Sequence, residues 1–460
     1  MPTVASVQLA GTVLTVQTDN QNSNISVVQN PGTVTIRDGI TNQVWNYSTS
    51  QVSKVIVSGS SGDDSFVSTG NVGVIVWLYG RGGNDYLVGD SGPNLIVGGP
   101  GNDLIYGGSG KDTLKGLDGN DFIAGQSGND IIEGGNGNDS LIGGQGADAI
   151  SGAAGDDVLV TIDGTNLDVA DAGTGTDTAW VDLINGVQES VTGLDGTDYI
   201  RPVAAFANGA DLTLNGDRIK VPTLISQSNQ YETFNGRPLF AADGPTINDI
   251  NQTLAFGNVP VLDDSWLLAS LGAMVQSYPN LIKTNVVDFG DGTYGVRFNG
   301  VFYRVDNRFP VLQSGDVVPG YAGTGIDNSL WVAVVEKAAA TNANPTNPTY
   351  VALDNFSTGG LSPTTANTLF GGPTSKFFLP GTFISSDQLG SVLKQFVAKN
   401  YSLTLTVNDD PSGALVSDQT YSLTSLTLDA QGLCNCGDIP QPHRRRIESF
   451  DSNPTTAMSP

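Results

Sequence analysis

Apolar and polar residues alternate with a period of two along the first part of the chain. The segments GTVLTVQT, SNISVVQN, GTVTIRDG and SKVIVSG, all within residues 4–58, follow this alternation, which is typical of strands that bury one face. Asn-Pro-Gly and Arg-Asp-Gly lie between them as turn signals. The pattern predicts an all-β lead-in over residues 1–58.

From Gly80 the pattern changes to a period of nine residues, and nine nonapeptides run to Val160 without insertion or deletion. Positions one and four are always glycine, position eight is always Leu or Ile, and position six is Asp in eight nonapeptides and Asn94 in the other. Glycine permits tight turns with positive φ, and the three residues after position six predict a short strand. The period therefore predicts stacked coils, with an aliphatic ladder inside and acidic side chains stacked in the turns.

The stacked acidic side chains need cations, because like charges a few ångströms apart repel one another. Carboxylate and carbonyl oxygens favour Ca²⁺ over transition metals, so we expect several calcium ions along the turns. Degenerate nonapeptides at residues 59–67 and 173–181 add one Asp on either side. The expected ligands are Asp64, Asp85, Asp103, Asp112, Asp121, Asp130, Asp139, Asp148, Asp157 and Asp177.

The nonapeptides resemble the GGxGxDxUx pattern of RTX (hemolysin-type) calcium-binding repeats. The resemblance implies a parallel β-roll over residues 59–180, in which two nonapeptides form one coil. It also implies that neighbouring turns share each Ca²⁺ through Asp carboxylates and turn carbonyls. The lead-in would then cap the roll, since terminal repeats need an atypical cover. A disordered glycine-rich spacer is the alternative, which the strict phase disfavours.

Charge and composition narrow the range of partners. The chain has 46 acidic and 20 basic residues and a net charge of −26. This excludes nucleic acid, because no surplus of Lys and Arg could neutralise phosphates. No apolar run is long enough for a membrane span, and the first residues lack the features of a secretory signal. RTX proteins commonly leave the cell without such a signal, so the resemblance implies an extracellular or cell-surface location.

A helical pattern first appears in the second half of the chain, after further β-like segments and a turn-rich linker at residues 181–240. Apolar residues then recur three and four positions apart from Asp264 or Ser265 onward, over 327–341 and over 385–400. Strand-like segments lie between these helices. The combination predicts a separate α+β domain.

Four segments of this region resemble the calpain-type cysteine peptidases, which have a papain-like fold. They are VPVLDDSWLLASL at residues 259–271, GTYGVRFNGVFYRVDNRFPV, SLWVAVVEKAAA and NTLFGGPT, in the family's order. The resemblance implies an α+β calpain catalytic domain over residues 241–432. It also implies a catalytic Cys at a helix N-terminus, assisted by a His, an Asn and a Gln that donates to the oxyanion.

The sequence departs from the family at these catalytic positions. Ser265 stands at the Cys position, and a hydroxyl needs a stronger base than a thiol. Gln419 stands at the His position and cannot act as a base, and Val259 stands at the position of the oxyanion Gln. Asp264 and Ser265 are also good N-cap residues, worth about 1 kcal/mol to a helix. We therefore expect Ser265 to be a former nucleophile position that now caps a helix.

Residues 433–460 match nothing in the family and predict a divergent, disordered tail, for which truncation or a change of reading frame is our hypothesis. Cys434 and Cys436 are too close in sequence for a comfortable disulfide. Together with His443, the only histidine of the chain, they would form at most a partial metal site. A polar, proline-rich segment disfavours that site.

Three functions are compatible with the sequence. The first is a calcium-binding RTX protein whose calpain-like domain is a pseudopeptidase and serves as a binding or structural module. Loss of one member of a nucleophile–base unit costs ~10³–10⁶ in kcat, which favours this interpretation. The second is an active calcium-dependent cysteine-type endopeptidase with an unrecognised base. The third is an extracellular structural or adhesive protein organised by Ca²⁺. The sequence identifies no protein substrate or protein partner.

Overall fold

Parallel strands dominate the structure, which is a computed structural model of the 460-residue chain. It describes residues 4–19, 22–71, 73–210, 212–213, 219, 221–222, 224, 230–240, 244–246, 267–268, 271–272, 274–275, 278–311, 329–343, 345, 348, 350, 353, 370, 404–407, 419–422, 426–428 and 434–436. The chain divides into two units. Unit 1 consists of Met1–Phe206, Asp211–Asp217 and Phe289–Asp291, and unit 2 of Ala207–Ala210, Arg218–Asp288 and Gly292–Pro460.

Successive nonapeptides contribute their strands to two sheets in turn. The first sheet contains β1 (Val4–Ala10), β2 (Val13–Thr18), β6 (Lys54–Ser58), β8 (Ile75–Tyr79), β10 (Asn94–Pro100), β12 (Thr113–Asp118), β14 (Ile131–Asn136), β16 (Ala149–Ala154), β18 (Val169–Asp171) and β21 (Ser190–Thr192). The second contains β3 (Asn24–Asn30), β4 (Thr33–Asp38), β5 (Val44–Ser48), β7 (Ser65–Thr69), β9 (Tyr86–Val88), β11 (Leu104–Ser109), β13 (Phe122–Ser127), β15 (Ser140–Gln145), β17 (Val158–Val160), β19 (Thr178–Ile184), β20 (Val187–Gln188) and β22 (Tyr199–Val203). Even-numbered strands from β6 to β18 follow one another in the first sheet, and odd-numbered strands from β7 to β19 in the second. Two nonapeptides therefore form one coil, as the RTX resemblance implies.

The parallel pairing extends beyond the nine nonapeptides in both directions. It includes the pairs β6–β8 and β19–β22, so the roll spans residues 54–203 rather than the predicted 59–180. Strands that lack the glycine pattern still stack because their inward residues stay in register: Phe66 pairs with Leu87, and Leu159 with Ala179. The alternative of a disordered glycine-rich spacer is wrong.

The aliphatic residues at position eight form the core of the roll. All of them are at most 3% exposed, and they are Leu87, Ile96, Ile105, Leu114, Ile123, Ile132, Leu141, Ile150 and Leu159. Burying one such side chain fully stabilises a fold by about 1.5–3 kcal/mol. Because every coil contributes two of them at the same height, the predicted aliphatic ladder is confirmed.

Glycine is required in the turns because successive coils approach closely there. Gly128 has φ +148°, and a Cβ at this position would lie 1.4 Å from the carbonyl oxygen of Gly110. Gly146 repeats the relationship one coil later, with a φ of +149° and a Cβ position 1.5 Å from the oxygen of Gly128. No side chain fits at these two positions, so both require glycine.

The lead-in continues the two sheets through antiparallel hairpins. The pairs β1–β2, β3–β4 and β4–β5 are antiparallel, whereas β2–β6 and β3–β7 are parallel. Leu14, Val16, Ile25 and Val27 are buried in the same core as the nonapeptide ladder. The lead-in therefore covers the first end of this core.

Unit 2 contains short antiparallel sheets and helices. Its described strands are β23 (Gln230–Thr233), β24 (Val286–Asp288), β25 (Thr293–Phe298), β26 (Val301–Asp306), β27 (Arg308–Val311), β28 (Thr404–Val407), β29 (Gln419–Ser422), β30 (Leu426–Leu428) and β31 (Cys434–Cys436). Its described helices are α1 (Pro279–Lys283) and α2 (Trp331–Ala343). The pairings are β24–β25–β26, β23–β27, β28–β29 and β30–β31. A papain-like arrangement of these elements stays a prediction.

The predicted helix over 327–341 corresponds to α2, although α2 is buried from Trp331 to Thr341 rather than amphipathic. In the segment after Ser265, residues 267–268, 271–272 and 274–275 are helical. The predicted helix over 385–400 lies outside the described residues. None of the helices in the described part of the chain is long and apolar enough to cross a membrane.

A buried ion pair joins α2 to the strands of unit 2. The ammonium group of Lys337 is fully buried and donates to the Asp306 carboxylate, to the carbonyl oxygen of Asp306 at 2.9 Å and to that of Arg308. Arg308 also donates to the Asp306 carboxylate, from Nε at 2.7 Å. Burial lowers the pKa of Lys337 to about 8, and the charge of Asp306 opposes that change.

Candidate metal centre in the turns of the roll

The carboxylates at position six form one ladder at each of the two turns of a coil. In the first ladder, the backbone N–H of Asp103 donates to Oδ1 of Asp121 at 2.8 Å, and that of Asp121 donates to Oδ1 of Asp139 at 2.8 Å. The same bond links Ser23, Asp64, Asp85, Asp103, Asp121, Asp139, Asp157, Asp177 and Asp198 in order. The second ladder links Asn94, Asp112, Asp130, Asp148 and Asp168. All ten predicted Asp residues lie in these ladders.

In nine of the ten predicted Asp residues, the second carboxylate oxygen is buried without a hydrogen-bond donor. The ten predicted Asp residues are at most 2% exposed. Oδ2 of Asp64 accepts from the backbone of Ser60 at 2.9 Å. Oδ2 accepts no hydrogen bond in the nine others, Asp85, Asp103, Asp112, Asp121, Asp130, Asp139, Asp148, Asp157 and Asp177. Buried polar atoms normally have a partner, so these orphaned oxygens are candidate ligands for a cation.

The orphaned oxygens lie against the glycine at position one, near a carbonyl oxygen of the next coil. A Cβ at Gly116 would lie 2.0 Å from Oδ2 of Asp121 and 2.7 Å from the carbonyl oxygen of Gly134 in the next coil. A Cβ at Gly125 would lie 2.4 Å from Oδ2 of Asp130 and 2.6 Å from the oxygen of the glycine one coil later. A carboxylate oxygen and a carbonyl oxygen of the next coil thus lie beside each of these glycines, and Ca²⁺ binds oxygens of both kinds at about 2.3–2.6 Å.

Burial raises the pKa of every predicted ladder carboxyl group. The pKa rises to about 8 at Asp103 and Asp139, where loss of hydration is the main cause and the charges of ladder neighbours add to it. The pKa is about 7 at Asp85, Asp130, Asp148 and Asp157, about 6 at Asp112, Asp121 and Asp177, and raised at Asp64. The backbone hydrogen bonds lower these pKa values without offsetting burial. Without cations, the carboxyl groups of a ladder therefore tend to stay protonated.

Acidic side chains alone do not form the site. Among the residues that the structure describes, no group of three or more His, Cys, Asp or Glu side chains is arranged to hold a metal ion. An ion in the turns would therefore need carbonyl oxygens as well as one or two carboxylates. Ca²⁺ accepts such mixed oxygen ligands in flexible geometry, so the residues present fit calcium.

Two residues of the ladders were not predicted from the repeat pattern. Asp168 accepts from the backbone of Asp148 at 2.7 Å, and Asp198 accepts from that of Asp177 at 2.9 Å. Both residues directly precede a strand, β18 and β22, and this position is the signal that could have identified them. Asn94 occupies the ladder position of the nonapeptide that lacks Asp.

A second set of hydrogen bonds runs regularly along one of the two turns in the described residues, and it occurs once at the other turn, where the backbone of Ala147 donates to Oδ1 of Asn129 at 3.2 Å. At position five, the backbone of Asn102 donates to Oδ1 of Asn84 and that of Asn120 to Oδ1 of Asn102, each at 2.8 Å. Pro93 and Lys111 occupy this position at the opposite turn. The two turns of a coil therefore differ in the polar contacts that stiffen them.

The predicted catalytic positions lie almost entirely beyond the described residues. Ser265 and Val259 are outside them, as is His443. Gln419 begins strand β29, which pairs with β28. Cys434 and Cys436 are the end residues of β31. The proposed peptidase geometry stays a prediction.

Residues 76–96, 88–123, 106–140 and 124–159 match the family of RTX calcium-binding nonapeptide repeats, in four copies. The parallel roll and its two carboxylate ladders agree with that match, so the chain carries a calcium-binding β-roll of the RTX type. No curated protein matches the chain.

Proposed function

We propose that Ca²⁺ ions bind between successive coils and that their binding stabilises the fold of unit 1. The observation that supports this proposal is the row of buried Oδ2 atoms that accept no hydrogen bond and face carbonyl oxygens of the next coil. These oxygens belong to Asp85, Asp103, Asp112, Asp121, Asp130, Asp139, Asp148, Asp157 and Asp177. Asp64 precedes them in the first ladder, and its Oδ2 accepts from Ser60.

The energetics of burial support a cation rather than an empty turn. An ionised carboxylate that leaves water without a counter-charge is strongly disfavoured, and the nearest charges along each ladder are of the same sign. A divalent ion between two coils compensates both effects at once. Since the unfolded chain offers no preformed site, the binding free energy also stabilises the fold.

Calcium removal from the full-length protein tests the proposal. We expect the circular dichroism signal of β structure to fall when EGTA is added and to return with Ca²⁺. Asp121→Asn should weaken calcium binding, whereas Asp118→Asn should bind like the wild type, because Asp118 is exposed in the same nonapeptide. A spectrum that does not respond to EGTA would sink the proposal.

An extracellular or cell-surface role belongs to the same proposal. Extracellular calcium modules often bind at ~10⁻⁴–10⁻³ M, a range that suits the outside of a cell. Calorimetric titration of the wild type with Ca²⁺ measures this affinity. Binding in the nanomolar range would instead favour a role at cytosolic calcium levels.

For unit 2 we propose a calpain-like module without peptidase activity. Its support is that GTYGVRFNGVFYRVDNRFPV forms the antiparallel strands β25, β26 and β27, and that SLWVAVVEKAAA overlaps helix α2. Ser265 and Gln419 replace the nucleophile and the base of the family. Such a module would bind a partner or serve a structural role.

Cleavage of casein in the presence of Ca²⁺ separates this module from an active endopeptidase. We expect no cleavage by the wild type, by Ser265→Ala or by Ser265→Cys. Wild-type cleavage that Ser265→Ala abolishes would establish the endopeptidase instead. Cleavage gained by Ser265→Cys would show that a base survives near this position.

A further inference from the structure

The turn that follows the last nonapeptide is longer than the others. Eleven residues, 161–171, stand between Val160 and the Ala172 that begins the next turn. Strand β18 nevertheless keeps its parallel register with β16. The two extra residues therefore enlarge the turn and leave the strands unchanged. Thr161 occupies its first position, where the nonapeptides have glycine.

The second carboxylate ladder ends on two residues outside the nonapeptides, the first of which, Asp168, lies in this turn. Asp168 accepts from the backbone of Asp148 at 2.7 Å. In the next coil Val169 pairs with Ser190, and this register sets Glu189 beside Asp168. Glu189 thus takes the ladder position of an Asp, with a side chain one methylene longer.

A third carboxylate joins them from strand β19. Oδ2 of Asp182 accepts from the backbone of Asp163 at 2.9 Å and from that of Gly164 at 2.7 Å. The backbone N–H of Asp182 donates to Oε2 of Glu189 at 2.9 Å, and the Thr161 hydroxyl donates to the same oxygen. These hydrogen bonds connect the enlarged turn to the β19–β20 hairpin and hold one oxygen of each carboxylate.

The other oxygens of this cluster are buried without donors. Asp182 is fully buried, and Asp168 and Glu189 are 3% and 5% exposed. The atoms without a hydrogen-bond partner are Asp168 Oδ2, Asp182 Oδ1, Glu189 Oε1, Thr165 Oγ1 and Asn166 Oδ1. In the described part of the chain, no Lys or Arg forms an ion pair with any of these carboxylates.

A buried carboxylate elsewhere in the roll, that of Asp90, differs from this cluster because both of its oxygens accept hydrogen bonds. Asp90 is 6% exposed, and its Oδ2 accepts from the side chains of Gln29 at 2.6 Å and Ser68 at 2.7 Å. Its Oδ1 accepts from the backbone of Gly92 at 2.8 Å. A carboxylate that serves structure alone is thus surrounded by donors in this fold, whereas the cluster beside β19 is not.

We propose that this cluster binds a calcium ion of its own at the C-terminal end of the roll. The carboxylates of Asp182 and Glu189 hold it, together with the neutral oxygens of Thr165 and Asn166. Because no three acidic side chains among the described residues are arranged around one point, the neutral oxygens are needed to complete the ligands. Ca²⁺ tolerates such irregular oxygen sites, whereas Mg²⁺ demands near-octahedral geometry.

This site is distinct from those of the nonapeptides. It lies beyond the residues 76–159 that match the repeat family, and it uses side-chain oxygens where the nonapeptides offer glycine carbonyls. Its position at the end of the second ladder means that an ion there would fix the last coils and the β19–β20 hairpin together.

Native mass spectrometry of the full-length protein at saturating Ca²⁺ tests the inference by counting ions. We expect Asp182→Asn and Glu189→Gln each to carry one ion fewer than the wild type. The exposed Asp171→Asn, in β18 beside the cluster, should carry the full number. Asp182→Asn and Glu189→Gln with the full number of ions would overturn the inference.

Two further measurements keep the test decisive. Asp121→Asn should lose calcium if the ladders bind it. If that variant loses ions while Asp182→Asn and Glu189→Gln keep the full number, the proposed function stands and this site alone is rejected. In EDTA, the cluster variants should melt no lower than the wild type, because the amides remove buried charge and keep an acceptor oxygen. Their rise in Tm on adding Ca²⁺ should be smaller. An equal rise would also reject the site.

Discussion

The backbone N–H of Asp103 donates a 2.8 Å hydrogen bond to Oδ1 of Asp121, one coil further along the roll. This bond orients the carboxylate and uses one of its oxygens, while the other is buried with no donor. In nine of the ten predicted ladder residues, the protein therefore satisfies only one carboxylate oxygen. The other oxygen, which has no donor, links the binding of cations to the stability of the roll.

Without calcium, the stability of the roll should fall as the pH rises. The pKa values of Asp103 and Asp139 in the fold are about 8, against an ordinary value of 3.8. Between about pH 4 and about pH 8 the folded state binds more protons than the unfolded state, so rising pH disfavours it. Thermal melts in EDTA should give a higher Tm near about pH 5 than near about pH 8. A Tm that rises over this interval would contradict the prediction.

With calcium bound, the stability of the roll should instead increase as the pH rises. Ca²⁺ binds the ionised carboxylate, so protons compete with it. The calcium concentration needed to restore β structure should rise as the pH falls below the pKa of about 7 at Asp130 and Asp148. Calcium titrations at several pH values, followed by circular dichroism, measure the shift. A midpoint that does not depend on pH would show that these carboxylates are not the ligands.

Asn94→Asp should make the second ladder more dependent on calcium. Asn94 is 4% exposed, and its Oδ1 accepts no hydrogen bond while its amide donates to the oxygen of Gly92. A carboxylate loses that donor and adds charge beside Asp112, so the Tm in EDTA should fall and the rise on adding Ca²⁺ should grow. Asn102→Asp, at an exposed position five, is the matched control and should change neither Tm appreciably. Equal behaviour of the two variants would count against a metal site at this position.

Gly128→Ala should disrupt the coil that contains it. The substitution combines a φ of +148° with a Cβ only 1.4 Å from a carbonyl oxygen, so the cost should exceed the ~1–3 kcal/mol of backbone strain alone. Gly186→Ala has a φ of +79° and no atom within 4 Å of its Cβ, and should cost about 1–2 kcal/mol. Urea unfolding in excess Ca²⁺ compares the two variants.

Lys337→Met should destabilise unit 2 by about 3–5 kcal/mol, because among the described residues it leaves the largely buried carboxylate of Asp306 with Arg308 as its remaining partner. Lys115→Met, which removes a half-exposed pair with Glu133, should cost at most about 1 kcal/mol. Urea unfolding of both variants in excess Ca²⁺ measures the difference. Equal costs would show that the buried pair adds little.

The interior of the roll could be predicted from the sequence because identical nonapeptides occupy identical positions. Leu114 and Asp121 follow from their places in the period alone, and both are buried where the period puts them. Asp168 and Glu189 could not be predicted in this way. The enlarged turn shifts the phase before Asp168, and the β19–β20 hairpin separates Glu189 from it. Only the strand register reveals that they continue the ladder.

Less of unit 2 could be predicted from the sequence, because its contacts are non-local. The spacing of apolar residues predicted helix α2, but its burial on all sides depends on strands far away in the sequence. Lys337 would be exposed on a surface helix, yet it is buried against Asp306, 31 residues earlier. A local pattern cannot specify a partner at that distance.

The two carboxylate ladders also make the roll a line of charge. Neighbouring strands of a sheet are about 4.8 Å apart, and each step along the axis carries two carboxylates, so their mean axial spacing is about 2.4 Å. Double-stranded DNA carries one charge per about 1.7 Å and condenses counterions for that reason. The ionised roll therefore resembles a short polyelectrolyte, in which sodium at high concentration competes with calcium even where no single site prefers it.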